Sequence, residues 1–289
     1  MAGAIPALGL DDGPVELLPS RYHPGRRAVL EARAGRRHFA VKVCAEDPEP
    51  EAQAHQALAA AGLAGDSGER VPPLLAWDHD LQVLVLGWLE GPSAGELIQA
   101  GQGERAGQVA ARWFQCAASL PVKLGSPLGA AHMLKRTREW AAVLGEADPA
   151  SGTAAKRLVE RLAMTQPVER APHLVSGGLY AEHVLDLGDG SGVIDWGRFG
   201  QGPLDLDAGI FLASIWRFAL RHDAPAGEVT RAEQALLAGT SGLLDQRALT
   251  WHRAAELLRF AKREVTRGHE ELARARALLG EAERLVDSG

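Results

Sequence analysis

Cysteine, aromatic residues and long apolar runs are scarce in this sequence, and each scarcity removes a class of protein. Only Cys44 and Cys116 occur among 289 residues. Two cysteines far apart in sequence give neither the framework of a disulfide-stapled secreted domain nor, unaided, a zinc site. The chain reads as cytosolic. No stretch approaches the roughly 18–20 apolar residues needed to cross a bilayer, so no membrane role is expected. The opening MAGAIPALGLDDGPVELLP lacks a basic start followed by an apolar core, and is not read as a signal peptide. A net charge of −6 gives no footprint for nucleic acid. There is no G-x-S-x-G, no H-E-x-x-H and no Walker A loop, and the ten histidines are scattered. Arginine far outnumbers lysine, and Ala, Gly and Pro are abundant, the composition of a GC-rich bacterial genome.

What is present is enough apolar sequence, 46% of the chain, to bury a large core in one large domain or two lobes. The first part is β-rich. PVELLPSRYH, RAVLEARA and HFAVKVC are short strands joined by PGR and GRR turns, the pattern of an antiparallel meander. EPEAQAHQALAAAGL follows as a helix, opened by prolines and acids and closed by Gly62. VPPLLAWDHD and LQVLVLGWLE add two more strands. Five strands and one helix are therefore expected up to residue 90. From Gly91 onward helical spacing dominates, up to a long C-terminal run, REVTRGHEELARARALLGEAERL, that reads as a solvated, salt-bridged helix. The expected domains are a β-rich lobe over 1–90 and a helical lobe over 91–289.

One stretch interrupts the helices. HLVSGGLYAEHVLDLGDGSGVIDWG, residues 173–197, reads as strand, tight loop, strand, turn, strand, and ends on Asp-Trp-Gly. With GQGPLDLDAG downstream, it resembles the aminoglycoside phosphotransferase and choline kinase family, whose members typically read HGDLHPxNVLV, then GVIDWG, then GDPxxDLA. The register matches through Gly177, Leu179, Val184, Leu185, Gly192 to Gly197, and Asp207.

The resemblance implies an α+β, bilobal, protein-kinase-like fold with an ATP site between the lobes. In that frame Lys42 of FAVKV would hold the α- and β-phosphates, and Glu51 would pair with it. The YHPGRR turn, with Gly25 and Arg26, would cover the phosphates. Trp88 and Leu89 would lie on the strand that reads the adenine edge. Asp195 would bind Mg2+. His183 stands where the family has Asn, the second metal ligand, although a hard ion prefers oxygen to imidazole nitrogen.

The departures fall together. Gly178 occupies the position of the family's catalytic Asp, which accepts the proton of the substrate hydroxyl. Ser176 replaces the preceding His. Ser176, Glu182 and Asp205 are the nearest candidates for a substitute base, while Asp186 alternates with Leu185 and should face away. Two readings follow. One is a pseudokinase or repurposed cleft that keeps Mg-ATP binding and works through a protein partner. The alternative is an atypical ATP-dependent phosphotransferase acting on a small hydroxyl- or amino-bearing metabolite. The family's acceptor clefts are acidic, for cationic substrates such as aminoglycosides or choline, and no such acidic pocket is legible here.

Overall fold

A computed structural model of the chain describes residues 14–288. Residues 1–13, which hold most of the segment read above for a leader, lie outside the described residues.

Strands β1 (Val15–His23), β2 (Arg27–Ala34), β3 (Arg37–Cys44), β4 (Leu74–Asp78) and β5 (Val83–Gly87) form one antiparallel sheet in the order β1-β2-β3-β5-β4. The β1–β2 turn contains Gly25 at φ +67°, a left-handed conformation that glycine adopts without a Cβ clash. Alternation along the strands divides the sheet into two faces. Phe39 and Val41 pack with Ala32, Ala76 and Val85 on one face. Leu84 and Leu86 pack on the other against Ala52 of helix α1 (Glu49–Ala60). Lys42 lies opposite Val29 and Leu84 in the register, so its side chain belongs to the α1 face. Glu49, Pro50 and Glu51 suit the first turn of α1, and Gly62 at φ +94° turns the chain away at its end.

The remainder is helical: α2 (Ala94–Gln99), α3 (Gly103–Ala117), α4 (Ala130–Ala147), α5 (Pro149–Met164), α6 (Leu204–His222), α7 (Glu228–Gly239), α8 (Gln246–Val265) and α9 (Leu272–Ser288). Ser93 opens α2 with a capping box to Glu96. Between α3 and α4 lies β6 (Ser126–Pro127). Between α5 and α6 come β7 (His173–Val175), β8 (Val184–Asp186), β9 (Ser191–Val193) and β10 (Gly200–Gly202). One core gathers Trp113, Phe114, Trp196 and Phe211 beneath the β8–β9 hairpin. A second gathers Trp251, Leu258 and Leu278 where α4, α5, α8 and α9 meet.

The hairpin is fastened on two sides. Arg105 of α3 grips Asp186 with two hydrogen bonds of 2.6 Å, so Asp186 faces away from the loop as its alternation with Leu185 predicts. The backbone of Arg70, after α1, exchanges bonds with Ser191 and Val193. Those bonds tie the segment leaving the sheet to β9.

The C-terminal run departs from its sequence reading. Gly268, at φ +155°, breaks it between α8 and α9. Ala275, Leu278, Leu279 and Leu285 are buried, so α9 carries an apolar face into the second core and keeps Glu283, paired with Arg157, toward the surface. Spacing of three and four residues was present in that run, but its many charges masked it. Among the described residues no helix is long and apolar enough to cross a membrane.

Candidate functional site

The site is assembled from four pieces of chain around one carboxylate. Asp195 follows β9 with its backbone at φ +65°, a left-handed conformation that Asp tolerates better than most residues. Both of its oxygens are engaged. Arg27, the first residue of β2, donates from Nη1 to Oδ1 at 2.7 Å and from Nη2 to Oδ2 at 2.5 Å. The Lys42 ammonium donates to Oδ1 at 3.1 Å and to Glu51 Oε1 at 2.5 Å. His183 Nε2 lies 3.6 Å from Oδ2. Glu51 is held from behind by α1 itself, one turn before His55, whose Nδ1 bonds the Pro72 carbonyl at 2.9 Å.

The electrostatics follow from this crowding. Burial alone would raise the Asp195 carboxyl, but Lys42, His183 and Arg27 outweigh it and hold the group well below the usual carboxylate range. Burial likewise opposes the Lys42 ammonium, yet Glu51 and Asp195 hold it above the ordinary lysine value. For His183 burial wins over the pull of Asp195, and the imidazole is pushed down. Its Nδ1 lies 2.9 Å from the Gly178 carbonyl, which can only accept, so Nδ1 carries the hydrogen.

Of the residues singled out in the sequence, Lys42, Glu51, His183 and Asp195 come together. Gly25 and Arg26 do not. Arg26 is exposed, and its backbone closes the turn to His23 and bonds Ala45. The cation that reaches the site is the next residue, Arg27, which sequence reasoning passed over. A signal for it existed. Arg27 and Val29 share one face of β2, and Val29 pairs with Lys42. Trp88 is half-buried and stacks on His38 with centroids 4.2 Å apart, and Leu89 lies against Gly192.

The loop before His183 keeps its frame. Asp207, at the start of α6, accepts from the backbone N–H groups of Ser176 at 2.6 Å and Gly177 at 3.0 Å. Burial pushes the Asp207 carboxyl up to about 6, against the pull of those bonds. Gly177 has φ +63°, and a Cβ there would stand 2.5 Å from the Arg198 carbonyl oxygen. Gly177→Ala is therefore expected to lower stability by about 1–3 kcal/mol, read as a fall in the urea midpoint. An unchanged midpoint would mean that the loop relaxes freely.

None of the candidate substitute bases has an atom within 4 Å of the Cβ position at Gly178. A Cβ added at Gly178 would meet one atom within 4 Å, Arg198 Cδ at 3.9 Å. Ser176 is buried, and its hydroxyl accepts from the Gly178 N–H at 3.2 Å, bracing the loop. Glu182 is half-buried on the short 3-10 turn beside His183 and is not within that distance. Asp205 is a correction. It is buried at the start of α6 and accepts at 2.6 Å from the backbone N–H of Asp245, the residue that caps α8, so it is engaged there instead of facing the loop. Its nearness in sequence to the Asp-Trp-Gly did not survive the turn through β10.

Magnesium asks for about six oxygens at near-octahedral positions. The two expected ligands offer one carboxylate, Asp195, with both oxygens bound to guanidinium and ammonium, and one imidazole, His183, while the Glu51 carboxylate is taken up by Lys42. As arranged, they do not fit the ion. Among the described residues no group of three or more His, Cys, Asp or Glu side chains gathers to hold a metal.

A five-stranded sheet whose buried lysine pairs with a helix acid, facing an Asp-Trp-Gly after a short hairpin, defines a phosphotransferase-like, kinase-type fold. The chain belongs to the phosphotransferase enzyme family, whose model matches residues 22–257. No curated protein sequence matches it. Solved structures of the same fold include a thermostable mutant of the aminoglycoside phosphotransferase APH(4)-Ia in ternary complex with AMP-PNP and hygromycin B. That protein is 15% identical, with a TM-score of 0.69 and 96% of each chain covered. Spectinomycin phosphotransferase APH(9)-Ia, with ADP and spectinomycin, is 13% identical at a TM-score of 0.62, covering 96% of this chain and 93% of that one. A choline/ethanolamine kinase family protein from Mesorhizobium loti is 17% identical at a TM-score of 0.60, with 96% and 94% covered.

Proposed function

We propose that this protein binds a nucleoside triphosphate between a β-rich lobe, residues 1–90, and a helical lobe, residues 91–289, and that it is a pseudokinase toward hydroxyl substrates. The observation that carries the reading is the buried Lys42 ammonium, held between Glu51 and Asp195 with the Arg27 guanidinium beside it. Two cations converging in a cleft are the chemistry that meets phosphate oxygens. Relatives of this fold are crystallised with ADP and AMP-PNP.

Arg27 takes up the carboxylate that would otherwise receive Mg2+, so nucleotide binding does not depend on the ion. The chain's own residues supply the cationic donors, each shared with a carboxylate. Lys42 and Arg27 face the phosphates, Glu51 orients Lys42, and Asp195 positions both cations. At the acceptor side Gly178 offers no group to take a proton, and proton acceptance is worth roughly 10²–10⁴ in rate. A scaffold of this kind can act through a protein partner that senses the nucleotide-bound cleft.

The preserved loop frame favours the second reading, a phosphotransferase whose acceptor needs no base. Asp207, Gly177 and the His183–Gly178 bond keep the loop in place although its acid is gone.

Lys42→Ala tests the proposal. Displacement of a fluorescent ATP analogue should show ATP binding to wild type and a loss of about 10- to 100-fold in the variant, the worth of a charged hydrogen-bonding group. Equal affinity in both proteins would place the nucleotide elsewhere or nowhere.

A further inference from the structure

The floor beside Gly178 is lined by guanidinium groups. Arg198, directly after the Asp-Trp-Gly, is exposed and passes the empty Cβ position of Gly178 at 3.9 Å. Its Nη1 donates to the Tyr180 hydroxyl at 3.3 Å. Arg263 of α8 lies over the Tyr180 ring, 5.6 Å from its centroid. Arg259, one turn earlier, is paired with the buried Glu256 at 3.1 and 3.2 Å. Arg198 and Arg263 have no ion-pair partner among the described residues.

The surroundings add positive charge. Arg198 is exposed as a whole residue, but its guanidinium end is packed against Tyr180; that loss of hydration, with Arg259 and Arg263, pulls the group down against the opposing pull of Tyr180 and Glu256. Glu256 is taken up by Arg259, and no carboxylate stands within 4 Å of the Gly178 Cβ position.

We propose that this floor binds a small molecule carrying a carboxylate or phosphate group, gripped by Arg198 and Arg263 with the Tyr180 hydroxyl beside them. Planar guanidinium forks match the oxygens of such groups in pairs. A cationic ligand meets like charge here and is rejected. With the anionic ligand as acceptor, its ionised oxygen would bond to the γ-phosphorus of the nucleoside triphosphate while the bond from that phosphorus to the β,γ-bridging oxygen breaks and the nucleoside diphosphate leaves; the oxygen has no proton to surrender, so a glycine at 178 costs nothing in proton transfer. The inference extends the nucleotide reading to the acceptor side of the same cleft and rests on it for that role.

The test is calorimetric titration of the full chain with citrate, inorganic phosphate and spermidine, each with and without saturating ADP. Citrate or phosphate should bind wild type in both conditions, and spermidine should not. The double variant Arg198→Ala/Arg263→Ala should lose at least about tenfold in affinity for the anion. Gly178→Asp, which sets a carboxylate against Arg198, should weaken it as well. The two probes separate the sources of the chemistry, citrate standing for carboxylates and phosphate for phosphate esters. Three results would overturn the proposal: neither anion binds wild type, the double variant binds them as well as wild type does, or ADP displaces them completely. ADP binding is measured in the same preparations. A failure of ADP to bind counts against the nucleotide reading alone, because the effect of the arginine variants on the anions is still read without it.

Discussion

Arg27→Ala is expected to change which ion the cleft needs. In the wild type the guanidinium holds both Asp195 oxygens, with a third contact from Lys42. Removing it takes a bidentate cation from beside Lys42, where the phosphates are proposed to bind, and frees a carboxylate. Affinity for ATP in the presence of a chelator should fall by about 10- to 100-fold, the worth of a charged hydrogen-bonding group. Added Mg2+ should then recover part of the loss, because Asp195 can offer oxygen to a hard ion once the guanidinium has gone. Arg27→Lys should be intermediate, since an ammonium cannot grip two oxygens in a plane. Calorimetry with ATP in EDTA and in Mg2+, on all three proteins, reads these effects. Equal loss in both conditions, with no recovery by the ion, would show that Arg27 does not stand in the metal's place.

Asp195→Asn is expected to cost stability, because three nitrogen-bearing side chains then surround a neutral group. Asn tolerates the left-handed backbone at φ +65°, so the substitution separates charge from backbone strain, which Ala would not do. Removing one partner from a buried ion pair costs about 3–5 kcal/mol. The Arg27 side chain keeps 27% exposure, and solvent will screen part of that, so a loss on the order of 2–4 kcal/mol is expected. The pH dependence has a definite sign. The folded-state carboxyl is depressed, so its contribution is fully present above the ordinary carboxylate value of about 4 and is lost as pH falls below it. The difference between wild type and variant in urea unfolding should therefore be constant at neutral pH and narrow in acid. A gap that is absent at pH 7, or that widens in acid, would contradict the account.

Much of this site could be read from the chain, and the gaps have particular causes. Lys42 and Asp195 were legible because each is a charged residue inside an apolar strand context, which burial makes costly without a partner. Gly178 was legible only through register, as a missing side chain leaves no chemistry of its own to notice. Arg27 was missed by one residue. A turn shows where the chain reverses, but the strand's alternation decides which of two adjacent arginines faces inward. Asp205 failed for the opposite reason. Its distance in sequence suggested the cleft, while β10 and the entry to α6 carry it to the cap of α8. The arginine floor was out of reach, since Arg198 and Arg263 lie on separate elements that only the packing of α8 against α6 and the loop brings together.

Titration of wild-type protein with ATP in excess EDTA, repeated in Mg2+, separates a cationic cradle from a metal site. Binding of similar strength in both is the predicted result, with Lys42 and Arg27 supplying the positive charge. Binding seen only with Mg2+ would mean that Asp195 serves a metal after all, and no binding in either would remove the nucleotide from the account.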